Sequence, residues 1–312
     1  MFIWVIVSYA FLASAITANK FLLGTITPSV VVCARMLGGG LILMGYLLAQ
    51  RSPQLHWRYL KQDWLSLFKI IFFTTIIPSL LKAYALKNMI SAKAALLGSL
   101  DPFITAFYAY TMHGHTVKAI QWVGMLLGFA GVVLVIVAPA YTAEGIAVWG
   151  VISWPEIAAL SAHAIGRYGW MLIQKLLHQH RYGSAELMAI SMFSSGVLLG
   201  GALGIAWLWD PVIGISLKRL FEPSAGIIAL YTIIAGNVVG YTLYTSTLRY
   251  HSATLISLAG FTIPIFVGIF GFIVLGEPIV LSMVFAAILM FIGLTVFYRN
   301  ELKSLLVITH KS

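Results

Sequence analysis

The sequence predicts an all-α integral membrane protein with ten transmembrane helices. Composition points there first: of 312 residues, 61% are hydrophobic and 9% are charged. Patterning agrees, because apolar runs recur from end to end and the charged residues lie scattered singly between them. A soluble domain carries roughly a quarter charged residues, so this chain lacks the polar groups to cover a water-exposed fold. Runs of ~20 apolar residues have the length that crosses ~30 Å of hydrocarbon.

The first run, 2–23, contains "ASA" at 13–15, which resembles a signal-peptidase site. No basic residue precedes it and the apolar stretch continues beyond it, so it reads as a transmembrane helix rather than a removed leader. Further spans are expected at 27–49, 64–86, 90–112 and 119–139. A second set falls at 147–172, 184–208, 224–247, 252–275 and 279–298. The most loop-like stretch near the middle, "PAYTAEG", separates the sets. The expected organisation is a five-helix repeat over 1–139, a linker over 140–146, a second five-helix repeat over 147–300 and a tail over 301–312.

Ten spans put both termini on one side. With the termini in the cytoplasm, the inner loops and tail hold Arg51, Arg58, Lys61, Lys118, Lys175, Arg181, Arg249, Arg299, Lys303 and Lys311. The outer loops then hold Lys20, Lys87, Lys93, Lys218 and Arg219. The positive-inside rule selects that orientation, in a lipid bilayer of the bacterial inner-membrane type. The net charge of +10 comes from these scattered loop residues and forms no basic stripe, which argues against nucleic acid as a partner. The single cysteine, Cys33, has no disulfide partner.

The chain also repeats itself. A shift of 162 positions sets Leu86 on Leu248, Lys87 on Arg249, Leu96 on Leu258 and Gly98 on Gly260. It also sets Pro102 on Pro264, Gly114 on Gly276 and Gly131 on Gly293. A repeat with an odd number of spans enters the membrane from the opposite side the second time. The result is an inverted repeat, from which alternating-access carriers build a site between their halves.

Several motifs resemble the EamA branch of the drug/metabolite transporter superfamily: "LGEPI" at 275–279, the run "LKNMISAKAALLGSLDPFITAFYAY" at 86–110, and its counterpart "LRYHSATLISLAGFTIPIFVGIFGF" at 248–272. Gly124, Gly128 and Gly131 fit the same pattern. The resemblance covers essentially the whole chain. One departure is "HGHTV", where His115 stands in place of the acid of the first-half Gly-Glu element. The resemblance implies transport of small metabolites such as amino acids, nucleotide derivatives or polyamine-like compounds without ATP hydrolysis, S-adenosylmethionine being one family substrate.

Candidate site residues come from charges inside the spans. In "SWPEIAALSAHAIGRYGWM" (153–171), Glu156, His163 and Arg167 recur at steps of seven and four, on one helix face, with Trp170 following. A charged stripe is costly against lipid and belongs on the bundle interior or a watery cavity. Arg35, Lys82, Asp101, Asn237 and Tyr241 lie in other spans and are the expected counterparts on a translocation pathway. A structural alternative pairs Asp101 with Arg35, or Glu156 with Lys82, only to hold helices together. Lys82 has a second bland reading, snorkelling to the interface. His113, His115, His178 and His180 have spacing too poor for a metal site. No P-loop or Gly-x-Gly-x-x-Gly motif is present, so no nucleotide cofactor is expected.

The expected function is secondary transport or facilitated movement of a small polar or zwitterionic metabolite, by alternating access. The candidate substrates are an amino acid or a nucleoside/amino-acid derivative such as S-adenosylmethionine. A proton is a candidate coupling ion through Glu156 or Asp101, and the sequence leaves monomer and homodimer both open. An intramembrane enzyme and a non-transporting structural subunit are the alternatives. The enzyme needs a nucleophile beside its base, whereas Ser161 and His163, two apart, point to different faces of one helix.

Overall fold

The computed structural model describes residues 2–49, 57–113, 118–137, 140–141, 147–148, 152–250, 256 and 259–299. His115, most of the 140–146 linker and the 301–312 tail lie outside these residues. Among the described residues the protein is helical, apart from a ribbon in which β1 (Ala140–Tyr141) pairs antiparallel with β2 (Ala147–Val148).

Long apolar helices open the chain: α1 (Phe2–Leu23) and α2 (Pro28–Ala49). After the short α3 (Trp57–Gln62), α4 (Trp64–Ile70) runs through a π-helical stretch, Ile71–Ile76, into α5 (Ile77–Asn88). The next rod is broken. α6 (Ser91–Leu97) passes through a 3₁₀ turn, Gly98–Leu100, into α7 (Asp101–His113), because Pro102 has no N–H to continue the α-helical ladder. α8 (Ala119–Val137) follows.

Beyond the ribbon come α9 (Trp154–His178), α10 (Ser184–Ala206) and the short α11 (Pro211–Leu220). α12 (Pro223–Tyr231) continues through a second π-helical stretch, Thr232–Gly240, into α13 (Tyr241–Tyr250). α14 (Thr262–Leu275) and α15 (Leu281–Phe297) complete the described helices. Among the described residues, six helices are long and apolar enough to cross a membrane: Trp4–Leu23, Pro28–Ala49, Trp64–Asn88, Ala119–Val137, Ser184–Ala206 and Pro223–Thr247. Large apolar side chains face outward, among them Leu126, Leu208, Phe272 and Ile273, as expected where hydrocarbon is the solvent.

The sixth expected span begins later than its apolar run suggested, at Trp154 instead of 147. Ser153 takes an extended conformation and Pro155 starts the helix well, so the N-terminus is set by local chemistry rather than by hydropathy. Two short helices, α3 and α11, lie outside every expected span.

Glycines set the closest helix approaches. A Cβ on Gly40 of α2 would stand 2.4 Å from the Phe193 nitrogen of α10, and one on Gly196 would stand 2.5 Å from the Leu37 nitrogen. Between α8 and α15, a Cβ on Gly124 would lie 2.6 Å from the Gly293 carbonyl oxygen. Neither seam admits a larger residue. The glycines Gly196, Gly200 and Gly204, spaced four apart on α10, form a seam at one end only, since nothing lies within 4 Å of the Cβ position of Gly204. There the two helices have diverged from their crossing.

Candidate functional site

A cavity of about 230 Å³ lies within the bundle. Its lining comes from both halves of the sequence and includes Arg35, Lys82, Asp101, His163, Arg167 and Tyr241.

Each polar residue reaches the cavity through a local feature of its helix. Asp101 follows the 3₁₀ turn at the head of α7 and accepts a hydrogen bond from His163 Nδ1 at 2.9 Å. His163 fits because position 98 is glycine: a Cβ there would stand 2.7 Å from the ring carbon Cε1. One turn further along α9, Arg167 donates through Nε to the Thr105 hydroxyl, and through Nη1 to the Tyr244 hydroxyl at 3.2 Å. Thr105 Oγ1 in turn donates to the Asp101 carbonyl at 2.7 Å. The three residues thus lock α7, α9 and α13 together.

Arg35 of α2 donates from Nε to Asn237 Oδ1 at 3.0 Å, and the Tyr241 phenol adjoins the same guanidinium. Asn237 is fully buried on the second π-helical stretch, and its amide nitrogen faces the sulfurs of Met36 and Met192. A π-bulge turns side chains that an α-helix would point elsewhere, and it recurs at functional sites. Lys82 of α5 lines the cavity and also a side chamber of about 30 Å³. It lies within electrostatic reach of Asp101 and His163. Among the described residues it makes no hydrogen bond or close ion pair.

Aromatic rings complete the wall. Trp170 meets Tyr244 edge-on at 4.9 Å and lies 5.8 Å from Tyr241. Tyr9 stands 5.9 Å from Tyr244 and donates its hydroxyl to the Ile256 carbonyl at 2.9 Å.

Glu156 does not line the cavity. Its Oε1 pairs with Lys93 Nζ at 2.6 Å, while Oε2 accepts from the Ser153 N–H at 3.0 Å and from the Ser153 hydroxyl. The sequence stripe is real as a helix face, but its first member is consumed as the capping-box acid at the helix end. Both proposed structural pairings also change partner. Asp101 bonds His163 instead of Arg35, and Glu156 bonds Lys93 instead of Lys82.

The same end of the bundle holds further contacts that the sequence did not reveal. Glu277, from the "LGEPI" motif, accepts from the Ser91 N–H at 2.9 Å and the Ser91 hydroxyl at 3.1 Å, so it caps α6 from a distant part of the chain. Gly276 ends α14 with φ +66°, a left-handed C-terminal residue that glycine adopts without strain. Lys20 donates to the carbonyls of Leu86 (2.7 Å), Lys87 (3.1 Å) and Met89 (2.7 Å), at the negative end of the α5 dipole. At the opposite ends of these helices Arg181 pairs with Asp63 at 3.2 Å, and burial together with Asp63 pushes the Tyr182 phenol up.

Thr105, Tyr9 and Lys93 gave no sequence signal, since each gains its meaning from a partner on another helix. Tyr244 had one: it follows Tyr241 by three residues and shares its helix face.

Comparison with known proteins agrees with this architecture. The sequence is 26% identical to the S-adenosylmethionine/S-adenosylhomocysteine transporter of Chlamydia muridarum over 97% of this chain and 93% of that protein. It is 27% identical to the transporter of the same name from Chlamydia trachomatis serovar L2, over 99% and 92% respectively. A crystal structure aligns over 94% of both chains with a TM-score of 0.63 at 16% identity, a match of fold. The profile of the EamA-like transporter family matches residues 1–137 and again 153–299. The chain therefore belongs to the EamA-like transporter family, as a multi-pass membrane transporter of small molecules rather than an enzyme.

Proposed function

We propose that the protein is a secondary carrier built from two inverted five-helix repeats, 1–139 and 147–300, which bind substrate between them and expose it alternately to either side. Three independent features support the repeat. The family profile matches twice, once in each half. The shift of 162 positions carries the first π-helical stretch onto 233–238, inside the second. The same shift carries α2 onto the region of α10 and α8 onto that of α15, and those are the helix pairs joined by the glycine seams.

The substrate is a small polar or zwitterionic metabolite of the S-adenosylmethionine/S-adenosylhomocysteine class, the class named for the Chlamydia relatives. The observation that carries the reading is the cavity itself, whose lining combines charged groups with the rings of Trp170, Tyr241 and Tyr244. Such a wall suits a ligand with an ionic amino-acid end and a flat ring. Hydrogen-bonded charges at bilayer depth are expensive and mark substrate or ion paths. In a bacterial inner membrane, with both termini cytoplasmic, any proton coupling would run through Asp101 and His163, since Glu156 is engaged at a helix end.

The test is uptake of labelled S-adenosylmethionine and S-adenosylhomocysteine into proteoliposomes, with Asp101→Asn and Arg167→Ala beside the wild type. Wild-type flux that both variants lose supports the carrier and its site. Equal flux in all three removes the site, and absence of flux for either compound removes the substrate class.

A further inference from the structure

The charges of the cavity do not balance. Three basic side chains, Arg35, Lys82 and Arg167, line it, against one acid among the described lining residues, Asp101, which leaves a formal excess of two basic groups. His163 either adds nothing or adds to the excess. Glu156 and Glu277 cannot correct it, because Lys93 and Ser91 hold them at the helix ends. Arg35 meets the neutral amide oxygen of Asn237, and Lys82 makes no hydrogen bond or close ion pair with the described residues. A cation at this depth is tolerated where water or a counter-charge reaches it.

We propose that Lys82 binds a carboxylate of the transported molecule, and that the cavity therefore selects carboxylate-bearing substrates of zero or negative net charge over net cations. The inference rests on the transport reading above and adds a direction to it. Lys82 suits the role: an ammonium is a compact charge with three rotatable donors on a flexible stem. It lines both the main cavity and the side chamber, as Trp170 and Tyr241 also do, so a ligand with its carboxylate on Lys82 has aromatic rings lining the same space. Of the two adenosyl compounds, S-adenosylhomocysteine has an ammonium and a carboxylate that cancel. S-adenosylmethionine carries the sulfonium charge in addition, and the excess of cations penalises it.

The experiment measures affinities of the full-length detergent-purified protein by calorimetry, for S-adenosylhomocysteine, S-adenosylmethionine and the decarboxylated amine of S-adenosylhomocysteine. The wild type should bind the amine about 10- to 100-fold more weakly than the parent, the size of one hydrogen bond to a charged group. It should also bind S-adenosylhomocysteine more tightly than S-adenosylmethionine. Lys82→Met should abolish the difference between parent and amine without weakening the amine, and Lys82→Arg should retain it. Equal wild-type affinity for parent and amine overturns the proposal even if no variant folds. So does a Lys82→Met protein that still discriminates. If no adenosyl compound binds, the adenosyl class falls by itself, and the comparison moves to methionine against its decarboxylated amine. A loss on decarboxylation there supports the carboxylate subsite; equal binding, or none, overturns it.

Discussion

The sharpest separation of structural from functional charge comes from Glu156. Its carboxylate accepts from Ser153 and pairs with Lys93, with side chains 8% and 14% exposed for Glu156 and Lys93. Glu156→Gln keeps an oxygen for the Ser153 N–H but removes the charge facing Lys93. Exposed pairs contribute about 0–1 kcal/mol, whereas leaving one partner of a buried pair uncompensated costs about 3–5 kcal/mol. Exposure this low places the loss between the two, at about 2–3 kcal/mol. Glu156→Ala also removes the cap, adding about 1 kcal/mol. The assay is a double-mutant cycle with Lys93→Met, read by reversible unfolding in mixed micelles, alongside transport in proteoliposomes. Glu156→Gln should be less stable, should show no further loss when combined with Lys93→Met, and should transport a substrate of the wild type at a largely preserved rate. Lost transport with unchanged stability would refute the reasoning, since the carboxylate would then be acting on the substrate.

Three further outcomes follow from the geometry. Arg167→Lys keeps the charge but cannot hold Thr105 and Tyr244 together through one planar fork, and should cut transport about tenfold or more; unchanged uptake would remove Arg167 from the pathway. Gly124→Val drives a side chain into the Gly293 carbonyl and should cost about 3 kcal/mol or more, while Gly204→Ala, facing open space, should be nearly neutral; monodispersity on size-exclusion chromatography after heating reads both. Glu277→Ala leaves the Ser91 N–H without its acceptor and should destabilise by about 1 kcal/mol, measured by the same unfolding assay.

The all-helical, membrane-spanning character was legible because hydropathy and run length set it, and the helix face carrying His163, Arg167 and Trp170 was legible because 3.6 residues per turn fixes it. Partner identity was not. Asp101 could be placed within the fourth expected span from its neighbours, but its choice of His163 over Arg35 depends on a glycine at 98 that makes room for the imidazole. Arg35 finds Asn237 only because the π-helical stretch turns that amide toward α2. Glu156 was misjudged as a cavity residue because periodicity records direction around an axis and not depth along it. Ser153 three residues earlier was the missed signal, the Ser-x-x-Glu spacing of a capping box.

Depth also explains why the charged residues fall into two groups. At the helix ends several charges meet open backbone groups: Lys20 takes the carbonyls of Leu86, Lys87 and Met89, Glu277 takes the N–H of Ser91, and Glu156 takes that of Ser153. Terminal N–H and C=O groups lack intrahelical partners, so these contacts satisfy two needs at once. In the middle of the bundle the backbone is already paired, and a charge must find another side chain. Arg167, Asp101 and Arg35 do so, and Lys82 makes no hydrogen bond or close ion pair with the described residues. A charge retained only to clamp helices would be matched as closely as those at the ends, because an unmatched one costs more than an apolar residue of similar size. Lys82 is therefore hard to account for as a clamp, and its place on the cavity wall is what makes a carboxylate from outside the protein the economical partner.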